Sequence, residues 1–191
     1  MSAGSPAVTD ADILLTAARR SIEYGLAHHH RPPSVQLSEY STRLIQPGAS
    51  FVSLHIGKQL RGCLGTLGAD QPLIVDVTHN ACNAAFRDPR FPPVEATQLP
   101  TVDIEISLLS QPVRMVFKDE ADLITQLRPG IDGLILEDGV QRGTFLPVVW
   151  QNLPTAAEFL RELKKKAGLP EHYWSSTLQI WRYETTVIQS D

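Results

Sequence analysis

The stretch that decides the fold is VDIEISLL, residues 102–109. Its apolar residues at 102, 104, 106 and 108 alternate with Asp103, Glu105 and Ser107, and a period of two is that of a β-strand. One face of this strand is apolar and the other is polar. A strand buried on one face is typical of an antiparallel or mixed sheet that packs against helices.

Segments on both sides of this strand have the apolar spacing of helices. Residues 10–27 begin with a capping box of Thr9 and Asp12, and residues 71–87 begin with Pro72, where a proline interrupts no intrahelical bond. Downstream, Thr155 caps a helix that ends before Gly168. Three lysines at 164–166 fall in its last turn, where cations complement the helix dipole. A closing strand is predicted over 178–188. Helices and hairpins without regular βαβ alternation predict an α+β fold.

The run LRGCLGT, residues 60–66, carries the candidate chemistry. It is predicted to follow a strand pair, residues 51–56 and 59–61, joined at Gly57-Lys58. In one interpretation Cys63 is a catalytic thiol: Arg61 favours its thiolate, and backbone N–H groups around Gly62 and Gly65 bind a developing oxyanion. In the other, the run is a tight turn that holds a small buried cysteine.

Polar residues distant in sequence extend this candidate site. Glu105 is a candidate acid or base, and Ser107 lies on the same polar strand face; the alternative is a solvated sheet face. Because ligand sites collect a few convergent polar groups, we expect Cys63 within about 10 Å of Glu105 or Ser107, with Arg61 or Arg90 at the rim. The remaining candidate binding residues lie on the second helix and in the loop after it: Asn80, Asn83, Asp88 and Arg90.

No residue pattern names a cofactor. His79 and Cys82 stand at i, i+3 on the second helix, but their spacing from Cys63 is not that of a standard metal site, so no metal is predicted. Two cysteines do not indicate a disulfide framework, and free thiols favour the cytoplasm.

Composition limits the classes of partner. The 191 residues carry a net charge of −4, which disfavours nucleic acid as a partner. No apolar run approaches the roughly 18 residues of a membrane span, and the N-terminus lacks the pattern of a signal peptide. We expect a flexible N-terminus over residues 1–9, one domain over 10–188 and a short tail over 189–191.

The ordered motifs of this chain resemble those of the AMMECR domain family, also known as AmmeMemoRadiSam system protein A. The resemblance covers about 10–188. It rests on the run at 60–66 and on five further blocks: NA–AAF with DPRFP at 80–92, EISLL at 105–109, RPGIDGL at 128–134, GTFLP at 143–147 and KAGLP at 166–170.

This resemblance implies an α+β fold with a larger and a smaller lobe and a cleft between them. It implies no reaction, because the biochemical role of the family is not established. Bacterial and archaeal relatives often accompany a Memo-like protein and a radical SAM protein, which makes those two proteins candidate partners.

Two functions remain open at this point. The first is a cysteine-dependent enzyme that acts on a small anionic molecule in the inter-lobe cleft, with Cys63 as nucleophile, Arg61 holding the anionic group and Glu105 as acid or base. The second is a binding or adaptor module for a partner protein or ligand, in which Cys63 is only a packing residue.

Overall fold

Residues 9–189 are described by the structure, which is a computed structural model. The chain divides into two units: the first runs to Leu109 and resumes at Thr186, and the second spans Ser110–Thr185. The flexible N-terminus and the tail predicted from sequence lie outside the described residues, except for Thr9 and Gln189.

The first unit is built on a four-stranded sheet with the strand order β2-β1-β3-β8. Both neighbours of β1 run antiparallel to it. The elements of this sheet and its helices are α1 (Asp10–Ala27), β1 (Ala49–Ile56), β2 (Gln59–Gly65), α2 (Leu73–Phe86), β3 (Val102–Leu109) and β8 (Thr185–Gln189).

One face of this sheet forms the core with the two helices. The apolar set of β3, which includes Ile106, is buried together with Val52 of β1, Ala81 of α2 and Ile22 of α1. The capping box of α1 forms as predicted, with the Thr9 hydroxyl accepting the N–H at position 12 and the carboxylate of Asp12 accepting the N–H of Thr9.

The second unit contains a separate four-stranded sheet with the order β4-β7-β5-β6 and its own buried cluster, which includes Leu134, Phe159 and Ile180. Its elements are β4 (Val113–Arg114), α3 (Glu120–Gln126), β5 (Gly133–Asp138), β6 (Gln141–Phe145), α4 (Ala156–Lys166) and β7 (Gln179–Tyr183). Two antiparallel sheets with four α-helices confirm the predicted α+β class.

One sequence-based expectation outside the candidate site is wrong, and one lysine of α4 has an environment that the sequence does not show. The closing strand over 178–188 is two strands, β7 and β8, which belong to different sheets. The chain is fixed between them because Glu184 accepts the N–H of Ser110 and donates its own N–H to the Ser110 hydroxyl. In addition, Lys164 is not solvated: its side chain is 0% exposed and its Nζ lies 2.7 Å from Glu120 Oε1 of α3.

None of the helices between residues 9 and 189 has the length and apolar character needed to cross a membrane.

Candidate functional site

The cysteine run lies within a strand. Strand β2 extends to Gly65 and so contains the motif up to that residue, which rules out the tight turn of the second interpretation and lengthens the strand predicted over 59–61. Neither Gly62 nor Gly65 has a positive φ. Both are required by close packing instead, because a Cβ at Gly62 would overlap the carbonyl oxygen of Ala84 in α2, and one at Gly65 would overlap the ring of Phe51.

The register of the sheet brings the candidate residues onto one face. Ser53 of β1 is opposite Cys63 of β2 on one side and Glu105 of β3 on the other. Residues directly opposite one another in a sheet point to the same face. We call this the thiol face; it is the face of the first sheet opposite the helices, and it carries Phe51, Ser53, His55, Cys63, Asp103, Glu105 and Ser107.

Ser53 donates a hydrogen bond to the thiol, with 3.2 Å between Oγ and Sγ. The main-chain N–H and C=O of Cys63 are paired with other residues on the outer edge of β2. Ser53 and Cys63 are therefore a non-hydrogen-bonded pair, in which the Cα atoms approach to about 4.5 Å and the side chains are close. Sequence reasoning missed Ser53, although the alternation of polar and apolar residues along β1 already placed it on a polar face.

An ion pair of Asp88 and Arg90 occupies the place of a fifth strand beside Cys63. Asp88 Oδ2 accepts the Cys63 N–H at 2.8 Å, and Arg90 Nη2 donates to the Cys63 carbonyl at 3.2 Å. The two side chains bind each other through Arg90 Nε and Nη2. The guanidinium and the Cys63 N–H together hold the pKa of the buried Asp88 carboxyl at about 2, and the carboxylate in turn raises the pKa of Arg90.

This pairing changes the roles expected for the backbone of the run. The N–H of Cys63 is bound to a carboxylate, so it is not a free donor for an oxyanion. Because β2 is an edge strand, the Asp88–Arg90 pair also blocks the edge against pairing with another chain.

Arg61 is engaged with the loop that follows α2. Its guanidinium donates to the carbonyl oxygens of Pro92 at 2.6 Å and Pro93 at 3.0 Å, and to Gln98 Oε1 at 3.1 Å. These contacts fix the loop against β2. They give Arg61 a structural role in place of the expected contact with an anionic group.

Asn80 belongs to a buried network on the helix-covered side of the sheet. Its amide donates to Asp76 Oδ2 at 2.9 Å and to the Ser50 carbonyl at 3.0 Å, and Thr66 and Ser50 donate to the same carboxylate. Asn80 therefore lies apart from the thiol face, in contrast to the expectation that it binds ligand. Asn83 is half-buried and makes no side-chain hydrogen bond within residues 9–189.

Glu105 and Ser107 are two polar groups of the thiol face whose side chains have no partner within residues 9–189. Within residues 9–189, Glu105 forms no hydrogen bond or ion pair, although it is half-buried. Ser107 is only 9% exposed, and its hydroxyl is likewise unpaired within that range. Adding the two cross-strand spacings puts the Cα atoms of Cys63 and Glu105 about 10 Å apart.

The second thiol and the histidines do not complete a metal site. Cys82 is buried on α2 with its sulfur 3.4 Å from the His30 carbonyl, and burial raises the pKa of this thiol. Across residues 9–189, no group of three or more His, Cys, Asp or Glu side chains is arranged to hold a metal ion. The thiol face thus offers a nucleophile, a hydroxyl bound to it and an unpaired carboxylate, a set suited to nucleophilic and acid–base chemistry.

Comparison with known proteins identifies one family over almost the whole chain. The AMMECR1 family model matches residues 15–188. A protein of Methanothermobacter thermautotrophicus is 37% identical over 147 residues, which are 74% of this chain and 74% of that protein. Protein MJ0810 of Methanocaldococcus jannaschii is 35% identical over 147 residues, 73% of this chain and 71% of its own length.

A solved structure has the same fold. The crystal structure of the uncharacterized protein PH0010 from Pyrococcus horikoshii superposes with a TM-score of 0.84 at 28% sequence identity. The match covers 93% of this chain and 89% of PH0010.

Proposed function

For this chain, which belongs to the AMMECR1 family, we propose a cysteine-dependent enzyme that transforms a small molecule on the thiol face. Cys63 is the nucleophile, Ser53 orients its sulfur, and Glu105 is the acid and base. The hydrogen bond from Ser53 to Cys63 is the observation that carries this proposal.

The Ser53 contact is useful to a reacting thiol. A sulfur that loses its proton becomes a strong hydrogen-bond acceptor, and a hydroxyl already directed at it binds the thiolate without rearrangement. The sulfur is also held in place from behind, because Asp88 and Arg90 bind both main-chain groups of Cys63. A fixed nucleophile loses less entropy when it attacks.

The reaction class follows from these three side chains. As Sγ bonds to an electrophilic carbon of the substrate, the proton of Cys63 passes to the Glu105 carboxylate through a water molecule that bridges the two side chains. Glu105 then returns the proton to the leaving atom as the bond from that atom to carbon breaks. Water releases the product from Cys63 in a second step. A separation of about 10 Å between the Cα atoms of Cys63 and Glu105 leaves room for a small molecule between the two side chains.

Alkylation of the thiol tests the proposal. We expect iodoacetamide to modify Cys63 at about neutral pH faster than it modifies a free cysteine derivative, since only the thiolate attacks. Buried Cys82 is an internal control that should react slowly in the folded protein, and peptide mass spectrometry separates the two sites. Ser53→Ala should slow the reaction at Cys63, whereas Ser38→Ala, at an exposed position, should leave the rate unchanged. A Cys63 that stays unmodified between about pH 7 and 8 would rule out thiol catalysis.

One observation favours a binding module as the second candidate. Arg61, Asp88, Arg90 and Asn80 are all engaged in contacts that stabilise the first unit, so few polar groups remain for chemistry. In that case Cys63→Ser should retain ligand binding and cellular function. The Memo-like and radical SAM proteins that the family resemblance suggests are the partners to test for equal affinity in calorimetry with both forms. A folded Cys63→Ser variant that binds them normally but has lost its function in the cell would favour catalysis.

A further inference from the structure

The electrostatics of the thiol face point to the charge of the substrate. On the premise of the proposed thiol chemistry, we infer that the small molecule carries an ammonium or guanidinium group, which binds at Glu105 and Ser107 while its electrophilic carbon faces Cys63. This assigns the substrate to the cationic class and replaces the anionic molecule expected from Arg61.

Neither arginine beside the cysteine has the contacts of an anion site. Three hydrogen bonds direct the Arg61 guanidinium at loop carbonyls and at Gln98. Arg90 is 57% exposed at its side chain, but its charge is matched by Asp88 Oδ2 at 2.7 Å. An anion at Arg90 would therefore meet a neutral pair, and its attraction to that pair would be weak in water.

The acids of the thiol face, in contrast, have no cation. Glu105 is half-buried and Asp103, two residues before it on the same face, is exposed; neither forms an ion pair within residues 9–189. The other titratable groups of this face are Cys63 and His55, and His55 lies opposite Asp103 in the pairing of β1 with β3. A half-buried carboxylate without a counter-charge gains more from a bound cation than an exposed one does, because water screens it less.

The unpaired hydroxyl of Ser107 is a second observation, independent of the acids, that points to a ligand. Ser107 follows Glu105 by two residues, so both side chains are on the same face of β3. Its hydroxyl is unpaired within residues 9–189 although the residue is nine-tenths buried. No buried side-chain nitrogen or oxygen between residues 9 and 189 lacks a hydrogen-bond partner, so the unpaired Ser107 oxygen is open to solvent. A hydroxyl oxygen accepts the N–H of an ammonium or guanidinium group. Glu105 and Ser107 together therefore match a cation that carries N–H donors.

Charged thiol reagents measure this preference directly. Aminoethyl, sulfonatoethyl and methyl methanethiosulfonate deliver a cationic, an anionic and a neutral group to Cys63. In each reaction the thiolate forms a mixed disulfide and methanesulfinate leaves with the electron pair of the broken S–S bond. The rate for each reagent is divided by its rate with free cysteine, so that the intrinsic reactivities cancel, and Cys63→Ser gives the background from Cys82.

We expect the corrected rate of the cationic reagent to exceed that of the anionic reagent by about fivefold or more at low salt, and the ratio to approach one at about 1 M salt. Glu105→Gln should reduce the ratio about threefold or more. The matched control Glu23→Gln removes an exposed acid of α1 and should leave the ratio unchanged. A ratio of one or below, or equal effects of the two variants, would overturn the cationic assignment.

A second measurement keeps the inference testable if thiol chemistry fails. If even the neutral reagent leaves Cys63 unmodified, the proposed catalysis fails, but binding can still be measured. Agmatine and succinate are then titrated into the wild-type protein and followed by amide NMR. Shifts at the amides of Glu105 and Ser107 with agmatine alone support the cationic site. Shifts with succinate alone, or with neither probe, overturn it.

Discussion

At Cys63, one residue carries two separate tasks. Its main chain is bound by Asp88 and Arg90 at the edge of the sheet, and its side chain meets Ser53 on the thiol face. The division follows from strand geometry, because N–H and C=O lie in the plane of the sheet while the side chain stands perpendicular to it. A substitution in the ion pair therefore acts on the position of the sulfur without touching it.

Asp88→Asn tests the ion pair through its pH dependence. The pKa of Asp88 is lowered to about 2 from an ordinary value of 3.8, so its stabilising effect is present above the ordinary value and is lost as the pH falls from about 4 towards 2. We expect the variant to be less stable at neutral pH by about 1–2 kcal/mol, because a neutral amide binds Arg90 more weakly.

The variant should also lose less stability than the wild type between about pH 4 and 2, as measured by thermal unfolding. Asp70→Asn, at an exposed site, is the control for the loss of one negative charge. If Asp88→Asn and the wild type lose stability in parallel over that range, the contribution assigned to the ion pair is wrong.

Gly62→Ala tests why glycine precedes the cysteine. A Cβ at this position would overlap the backbone carbonyl of Ala84, which cannot move without shifting α2. We expect a loss of about 2 kcal/mol or more in the free energy of unfolding by denaturant. Gly68→Ala is the matched control, because there the three atoms nearest to the added methyl group all belong to the carboxyl group of the exposed Asp70 side chain and not to the backbone. Equal stabilities of the two variants would contradict the packing explanation.

At the scale of elements, α4 contains a buried charge that its sequence pattern does not indicate. Lys164 follows Leu163 and precedes two exposed lysines, so the sequence resembles a solvated helix end. In the structure its stem lies in the core, and Nζ reaches Glu120 of α3 and lies 5.5 Å from the centre of the Trp174 ring. The pair joins α3 to α4 within the second unit.

The two partners of this pair should respond unequally to substitution. Glu120→Gln leaves a buried ammonium without its counter-ion and should cost about 3 kcal/mol, whereas Lys164→Met removes the buried charge and fills the same space, so it should cost under about 1 kcal/mol. Denaturant unfolding of both variants measures the difference. Glu162→Gln, in a solvent-accessible pair with Lys165, should leave the stability nearly unchanged, because water screens such a pair. A larger loss from Lys164→Met than from Glu120→Gln would contradict this account.

At the scale of the whole molecule, the chain enters the first unit twice. Strand β8 follows the entire second unit and yet completes the sheet of the first, where Ile188 packs against the core. The first unit therefore depends on a strand that follows the whole second unit in sequence. Contacts between residues so far apart in sequence form late and slowly in folding.

Ile188→Ala tests this connection. Removing a partly buried side chain from the first core should destabilise that unit by about 1–2 kcal/mol and speed amide hydrogen exchange in β1 and β3. Exchange in β5 of the second unit should change little. Val187→Ala, at a 52% exposed neighbour, should alter neither. Faster exchange in β5 but not in β3 would show that β8 acts on the second unit instead.

Much of the fold could be predicted from local patterns. The alternation over β3, the capping box of α1, the cap of Thr155 on α4 and the hairpin turn at Gly57 all form as the residues indicate. These features depend on interactions within a few residues, and periodicity and capping chemistry report such interactions directly.

The candidate site could be predicted only in part. Cys63, Glu105 and Ser107 share a face, and strand alternation made that face visible for β3. The extended backbone of the cysteine run, the partners of Arg61 and the contact of Ser53 with the sulfur were not visible. The backbone of the run and the Ser53 contact depend on strand pairing, whose register the sequence leaves open. The partners of Arg61 lie on a loop that is more than twenty residues away in sequence.

The sequence by itself therefore determined the class of the fold, the main helices and strands and the identity of the candidate site residues. Only the tertiary structure decided which polar groups are already bound to the protein and which remain for a ligand. Arg61 and Asn80 look as available in the sequence as Glu105 does, yet loop carbonyls and a buried carboxylate engage the first two. The physical reason is that hydrogen bonding satisfies a polar side chain through whatever the fold brings beside it, and that neighbour is set by packing across the whole unit.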